Sequence, residues 1–304
     1  MTPSSATKPL KVGIQLPEVE REVRWPELCD MARAAEAAGF DSIWVGDHLL
    51  FRDPGIGSRA PWESWSVLAA LAAVTDRVEL GPLVASVSFH NPAMLAKKAA
   101  TVDEISRGRL ILGLGAGWNE VEYRAFGFPF DHRVDRFEEA FTIIRGLLRD
   151  GHADFVGRWY EARDCELLPR PARPVPMMVG TVGERMLRLV APHADAWNAW
   201  FTWFGNRPEG VAALRAKVDR ACEEVGRDPA TLERTVAVLV QVGSSEVPRR
   251  GGPEEQVEPI RAEELGEQLA KFAAEGIGHV QLVIDPITAR SIERLAGLLG
   301  LGTR

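Results

Sequence analysis

The sequence is poor in cysteine and has no long apolar run, and both absences restrict what the protein can be. Cys29, Cys165 and Cys222 are scattered over 304 residues without CxxC spacing, which excludes a disulfide framework and a cysteine zinc site. The longest clean apolar run, Val67–Val74, is much too short to cross a bilayer. Met1–Leu10 lacks the apolar segment of a signal peptide. We therefore expect a soluble cytoplasmic protein without a membrane partner.

An excess of positive charge is also missing. Lys and Arg together number 36 and Asp and Glu 43, so the formal net charge is −7. An acidic surface repels phosphate backbones, which argues against nucleic-acid binding. No group of His, Cys, Asp and Glu has the spacing of metal ligands. The expected partner is a small-molecule substrate, handled without a metal.

Short aliphatic runs alternate with longer segments of helical spacing along most of the chain. The predicted strands are Val12–Leu16, Ser42–Gly46, Val78–Val84, Leu110–Leu114, Met177–Gly180, Ala196–Trp200, Val236–Val240 and Val280–Ile284. They are apolar on both faces, as parallel strands covered by helices should be. Eight such strand-then-helix units favour an α/β fold, a (β/α)8 TIM barrel with insertions, as a single domain over residues 1–304. A doubly wound open sheet is the competitor, but its dinucleotide-binding form needs a G-x-G-x-x-G loop that is absent after the first strand.

Two segments interrupt the alternation. Asp150–Pro176 is rich in Arg and Pro, and Gly243–Pro259 follows the seventh predicted strand. In a barrel, a loop at that position lies on the catalytic face, where long loops form lids or contact substrate. A solvated linker is an equally good interpretation of Gly243–Pro259.

The ends of the predicted strands hold the candidate chemistry, because barrel active sites lie there. Asp47 and His48 follow the second strand, and a neutral His can transfer a proton near pH 7. A His that only bonds a neighbouring loop fits the position equally well. His90-Asn91-Pro92 is more typical of a turn and a helix start.

Glycines follow the fourth and fifth strands. The run Gly113–Glu120 lacks the ending of a phosphate-binding P-loop; its glycines could admit a flat ring or simply ease barrel packing. The turn Gly180–Glu184 leads into a predicted helix, whose free N–H groups suit a phosphate, although a plain turn has the same pattern. Trp118, Trp197, Trp200 and Trp203 lie near strand ends, where aromatic walls suit a planar cofactor or an apolar substrate; core packing explains Trp197 equally well.

Three blocks of the sequence resemble the luciferase-like monooxygenase superfamily, and within it the coenzyme F420-dependent oxidoreductases. The blocks are AEAAGFDSIWVGDHLL (35–50), VELGPLVASVSFHNPAMLAKKAATVDEISRGRLILGLGAGWNEVEYRAFGFPF (78–130) and PMMVGTVGERMLRLVAPHADAWN (176–198). The resemblance implies a barrel with a flavin or deazaflavin across its mouth. Asp47 and His48 would face the ring and the transferred hydride, with His48 delivering a proton and Asp47 orienting His48 or the ring.

The resemblance also implies a set of cofactor-binding residues and a backbone feature. The set is Leu83, Val84, Ser86, Gly115, Gly117, Trp118, Asn119, Gly180, Thr181, Val182 and Gly183. Leu83-Val84 would match a bulge with a cis peptide behind the ring, and Gly180–Gly183 would hold the cofactor's phosphate. Trp118 stands where the sugar-phosphate dehydrogenases of the superfamily have an acidic residue, so a sugar phosphate is a poor substrate candidate.

The expected function is hydride transfer between F420 and a small organic substrate. An FMN-dependent monooxygenase uses the same mouth and phosphate turn, and a flavin- or deazaflavin-binding protein without turnover is a further alternative. A barrel lyase or isomerase would need a Schiff-base Lys at a strand end, but Lys97, Lys98, Lys217 and Lys271 all fall on predicted helices. We expect a homodimer, the commonest arrangement of soluble homo-oligomers.

Overall fold

Parallel strands alternating with helices make up most of the computed structural model, which describes residues 9–53, 55, 57–244 and 257–302. Its strands are β1 (Lys11–Gln15), β2 (Ser42–Val45), β3 (Phe51–Asp53), β4 (Gly57–Arg59), β5 (Glu79–Pro82), β6 (Ala85–Ser86), β7 (Leu112–Gly115), β8 (His152–Val156), β9 (Glu161–Glu166), β10 (Met177–Gly180), β11 (Ala196–Ala199), β12 (Glu233–Gln241), β13 (Ile260–Arg261) and β14 (His279–Asp285). Its helices are α1 (Trp25–Ala37), α2 (Ser64–Val74), α3 (Pro92–Ile105), α4 (Glu120–Phe126), α5 (Arg133–Arg145), α6 (Glu184–Val190), α7 (Pro208–Glu224), α8 (Leu265–Ala274) and α9 (Ala289–Leu299). Within these ranges, no helix is long and apolar enough to cross a membrane.

The parallel strands close into a ring. The hydrogen-bonded order is β5-β2-β1-β14-β12-β11-β10-β7-β6. β5 and β6 are two parts of the third barrel strand, separated by Leu83 and Val84, whose peptide bond is cis. A parallel bridge between Leu80 and Leu110 joins this strand to the start of the fourth, and β6 pairs with β7. The predicted eight-stranded α/β barrel is therefore confirmed.

The apolar core has two parts, as expected of a barrel wrapped by helices. The larger part lies between strands and helices, where residues such as Ile43 and Leu282 pack on the apolar faces of the helices. The smaller part consists of strand residues and Leu83, and includes Trp44, Met178 and Ala237. None of these comes from a helix, so this second cluster fills the inside of the barrel beneath its mouth.

α2 is the helix between the second and third barrel strands, and α4 is an additional helix between β7 and α5. α2 is almost uniformly apolar and is capped by Glu63, whose carboxylate accepts the amides of Trp65 and Ser66. α3 begins where it was predicted, with Asn91 accepting the amide of Met94. The turn-and-helix-start interpretation of His90-Asn91-Pro92 is thus confirmed.

The insertion Asp150–Pro176 contains an antiparallel hairpin of β8 and β9. Its tip is held against α5 by Glu139, whose carboxylate accepts the amides of Arg158, Trp159 and Tyr160 at 2.7, 2.8 and 2.9 Å. The guanidinium of Arg136 lies over the Trp159 ring at 4.1 Å. Most of the second predicted insertion, Gly243–Pro259, lies outside the described residues.

We expect Glu139→Ala to release the hairpin tip. Three amides lose a charged acceptor, and each such bond is worth about 1.5–3 kcal/mol, so hydrogen exchange at residues 158–160 should accelerate roughly tenfold or more. Glu138→Ala on the same helix is the matched control, because Glu138 pairs with Arg185 at the surface. Equal hydrogen-exchange rates in the two variants would show that Glu139 does not hold the hairpin tip.

Candidate active site

His48 lies at the barrel mouth between two carboxylates. Its Nδ1 is 2.8 Å from Oε1 of Glu122, and its Nε2 is 3.7 Å from Oε1 of Glu18. The other oxygen of Glu122 accepts the amides of Leu49 and Leu50 at 2.7 and 3.3 Å. Glu122 is 1% exposed and the His48 side chain 19%. The imidazole is therefore held in place while one part of it stays accessible.

Asp47 makes its bonds elsewhere. Its buried carboxylate accepts the hydroxyl of Ser64 at 2.6 Å, the amide of Ser86 at 2.9 Å and Nε2 of His90 at 3.0 Å. Burial alone would raise the pKa of this carboxyl, but the bond and charge of His90 and the other two donors hold it below its ordinary value. These contacts join the ends of the second and third barrel strands to α2. The expected orientation of His48 by Asp47 is not among them, and Glu122 occupies that position instead.

Two aromatic side chains, Phe51 and Trp118, pack beside His48 and form an aromatic wall. The imidazole centre lies 4.7 Å from the Phe51 ring and 5.6 Å from the Trp118 ring. Trp118 is 60% exposed, an unusual state for so large an apolar side chain. Asn119 donates from Nδ2 to the carbonyl of Leu50 at 2.9 Å, which ties the loop after β7 to the loop after β2. The wall is thus built from two loops that hydrogen bonds hold together.

Tyr123 supports the glycine loop after β7 from behind. Its hydroxyl donates to the carbonyl of Ala116 at 3.1 Å and lies 2.6 Å from Oγ of Ser86. Burial raises the pKa of the Tyr123 phenol, so it stays neutral and can donate. Gly117 has φ +76°, and a Cβ there would come within 1.8 Å of this hydroxyl. Glycine at 117 is thereby required by both backbone conformation and space.

Two predicted cofactor-binding glycines make room for a neighbouring side chain. A Cβ on Gly115 would lie 2.6 Å from Cγ2 of Val84, and one on Gly180 would lie 3.3 Å from it. Leu83 packs inside the barrel with Trp44. The glycines at the mouth therefore serve barrel packing around Val84, and their contact with a ring stays a prediction.

The predicted phosphate turn runs from Gly180 to Gly183. Thr181 accepts the indole N–H of Trp197 through its carbonyl at 2.6 Å, and its hydroxyl accepts the amide of Gly183 at 3.3 Å. Val182 packs on the main core. Apart from its chain neighbours Val182 and Glu184, no described residue comes within 4 Å of the position that a Cβ on Gly183 would take. The start of α6 is therefore open on this side, with first-turn amides that have no partner within the helix.

A cavity of about 400 Å³ borders the same strand ends. Its lining includes Glu18 and Gly46, together with Arg59 at the end of β4 and Trp62 shortly after it. A Cβ on Gly46 would lie 2.3 Å from Oε1 of Glu18, so a side chain at 46 would displace the Glu18 carboxylate. Glu18 thus touches the cavity on one side and approaches His48 on the other.

Glu18 and Glu122 are the functional candidates that sequence reasoning missed. Glu122 belongs to the second block of the resemblance, but a Glu in the first turn of a helix is favourable by itself and gives no sign of a distant His. Among the described residues, no group of His, Cys, Asp and Glu could hold a metal ion.

Comparison with known proteins identifies relatives over most of the chain. The family model described as luciferase-like monooxygenase matches residues 10–274. The F420-dependent glucose-6-phosphate dehydrogenase of Amycolatopsis mediterranei is 37% identical over 194 residues, 62% of this chain and 56% of that protein. The pyrimidine monooxygenase RutA of Allorhizobium ampelinum is 33% identical over 176 residues, 55% of this chain and 46% of that protein. The aligned region spans about half the length of these two curated relatives.

Solved structures share the fold. An F420-dependent secondary alcohol dehydrogenase in complex with an F420-acetone adduct superposes with a TM-score of 0.79 at 20% identity, covering 96% of this chain and 98% of that one. The F420-dependent tetrahydromethanopterin reductase of Methanopyrus kandleri gives 0.77 at 16% identity, with coverage of 97% and 99%. At these identities the likeness concerns the fold alone.

Proposed function

Because the chain belongs to the luciferase-like monooxygenase family, we propose that it is an oxidoreductase that transfers hydride between coenzyme F420 and a small organic substrate. The observation that carries the proposal is the imidazole of His48, fixed by Glu122 at 2.8 Å and placed against the exposed Trp118. A positioned proton donor beside an exposed aromatic side chain suits hydride transfer to or from a bound ring.

The residues at the mouth fit a deazaflavin in two respects. The exposed ring of Trp118 offers an apolar face on which a planar ring can pack, and the buried ring of Phe51 lies tilted beside it at 6.2 Å. The open turn at Gly183, followed by α6, offers backbone amides to a phosphate on the ring's side chain. Trp118, Asn119 and the turn Gly180–Gly183 would hold the coenzyme, which supplies the hydride chemistry when bound.

His48 would handle the proton that accompanies the hydride. When a hydride leaves a carbon that bears a hydroxyl, the hydroxyl proton must leave as well, and the imidazole accepts it. In the reverse direction the imidazolium returns the proton to the oxygen. When the imidazole accepts the proton, Glu18 and Glu122 stabilise the positive charge that appears on it. Asp47 would fix the loop that carries His48.

An uncharged, largely apolar substrate fits this mouth. The exposed side chain at the mouth is aromatic, and two guanidinium groups, one at the end of β4 and one at the start of α5, are already engaged. Arg59 bonds the carbonyl of Val19 and the carboxylate of Asp53, and Arg133 bonds the carbonyl of Gly117. A phosphate on the substrate would need a free cation, so we propose an alcohol or carbonyl compound without one.

Titration of the purified protein with F420 and, separately, with FMN tests the cofactor. The coenzyme's own fluorescence reports binding. We expect F420 to bind roughly tenfold more tightly than FMN or better, a difference of at least about 1.4 kcal/mol. Tighter binding of FMN would refute F420 dependence.

Replacing His48 with glutamine tests the proton role. We expect turnover to fall by about 10²–10⁴-fold, the usual size of a general acid–base contribution, while coenzyme affinity changes little. His152→Gln is the control, because His152 is half exposed and pairs with Asp164 at the surface. Unchanged turnover in His48→Gln would remove His48 from the chemistry.

An FMN-dependent monooxygenase is the second candidate, favoured by the 33% identity to a pyrimidine monooxygenase. The same wall and turn would hold FMN. Oxygen uptake with reduced FMN and none with reduced F420 would select this function. A protein that binds the coenzyme tightly but turns over no alcohol or carbonyl compound would instead be a binding protein.

A further inference from the structure

We propose that Glu122 is a positioning residue that fixes which nitrogen of His48 carries the proton. The inference rests on the proposed role of His48 and adds the residue through which that role is set. Glu122 lies on α4, 74 positions along the chain from His48, and its side chain is almost fully buried.

The bonds of Glu122 leave its carboxylate one orientation. Oε2 accepts the amide of Leu49 at 2.7 Å and that of Leu50 at 3.3 Å, so this oxygen is committed to the backbone. Oε1 is left facing Nδ1 of His48 at 2.8 Å. A carboxylate can only accept hydrogen bonds, so Nδ1 must carry a hydrogen. In the neutral imidazole Nε2 is then the basic nitrogen, the one that exchanges a proton with substrate.

Glutamine at position 122 would reverse this assignment without changing the shape of the side chain. The two backbone amides require an acceptor, so the amide oxygen would take the place of Oε2. The amide nitrogen would then face Nδ1 and donate to it, which moves the hydrogen of the neutral ring to Nε2. A loss of the right tautomer with intact geometry lowers turnover by several orders of magnitude in serine proteases.

The direct test is the ¹⁵N NMR spectrum of histidine-labelled protein, without coenzyme, at a pH where the imidazole is neutral. The spectrum of His48→Gln identifies the His48 signals by their disappearance. We expect a protonated Nδ1 in the unaltered protein and a protonated Nε2 in Glu122→Gln. A hydrogen on Nε2 of His48 in the unaltered protein would overturn the proposal. This result does not depend on whether a variant at position 122 folds.

Turnover supplies the second readout. We expect Glu122→Gln to lower kcat by roughly 10²-fold or more, approaching the loss in His48→Gln, with KM changed less than about threefold. Glu120→Gln is the matched control on the same helix, because Glu120 pairs with Arg124 at the surface. Full activity of Glu122→Gln beside an inactive His48→Gln would overturn the positioning role and leave the proposed function intact. Full activity of His48→Gln would instead refute the role proposed for His48, while the NMR spectrum would still decide the Glu122 contact.

Discussion

Replacing Asp47 with alanine should lower the free energy of unfolding by about 3–5 kcal/mol, the cost of breaking a buried charged network. Its carboxylate is 3% exposed and accepts three hydrogen bonds, from Ser64, Ser86 and His90. Alanine would leave all three donors without an acceptor in a place that water barely reaches, and each pays its desolvation penalty. Denaturant titration of both proteins measures the difference.

Asparagine at position 47 should cost less than alanine. Its amide oxygen can still accept the amide of Ser86, and the hydroxyl of Ser64 can turn to accept from the amide nitrogen. Asp76→Ala, in a loose pair at the surface with Arg107, should leave the unfolding free energy unchanged. An alanine variant at 47 as stable as the Asp76 variant would contradict the network. Since the pKa of Asp47 is lower in the folded state, its stabilisation is present above the ordinary Asp pKa and is lost as the pH falls through that value and below it.

The stability of the protein should fall steeply in mild acid because of His279. Nε2 of this buried ring is 2.7 Å from Oγ of Ser42, and that hydroxyl accepts the indole N–H of Trp44 at 2.7 Å. The Ser42 hydroxyl keeps its own hydrogen, which it can donate to Nε2 of a neutral imidazole. Burial, with a smaller contribution from Lys11, lowers the pKa of His279 to about 3.

The direction in which the free energy of unfolding changes with pH follows from proton binding. Below the unfolded pKa of about 6.5, the unfolded chain takes up a proton that the folded chain refuses until the pH nears 3. The free energy of unfolding should fall by about 1.4 kcal/mol for each pH unit in this window. Denaturant titrations at several pH values measure the slope, and His279→Gln should make it shallower by that amount. His152→Gln, at the surface, should leave it unchanged, and equal slopes in all three proteins would refute the assignment.

Alternation of strands and helices was sufficient to predict the barrel, but local patterns did not reveal every element. α2 is apolar around nearly its whole circumference, so it lacks the one-sided stripe that indicates an amphipathic helix. The third strand was predicted as one run, Val78–Val84, whereas the structure divides it at Leu83 and Val84. The hairpin of β8 and β9 was missed because five of its eleven strand residues are charged and few are buried.

For the site, a residue's position after a strand predicts where it lies in the barrel but not which residues it contacts. Asp47 and His48 were placed at the barrel mouth because they follow a strand, and the structure agrees. Their partners could not be predicted, since Ser86, His90 and Glu122 lie 39, 43 and 74 positions away from the residues they bond. Only closure of the barrel brings these segments together, and local sequence periodicity does not predict which segments meet.

Val84 sets how deep the mouth can be. Its side chain fills the volume next to Gly115 and Gly180, the last residues of β7 and β10. A molecule seated at the mouth would therefore rest on this valine and could not descend along the barrel axis. It also follows that these three positions can change size only in concert, because a bulkier residue at 115 demands a smaller one at 84. A single side chain from the interrupted third strand thus limits the size of the residues at 115 and 180 and, under the proposed function, the depth to which a coenzyme could enter.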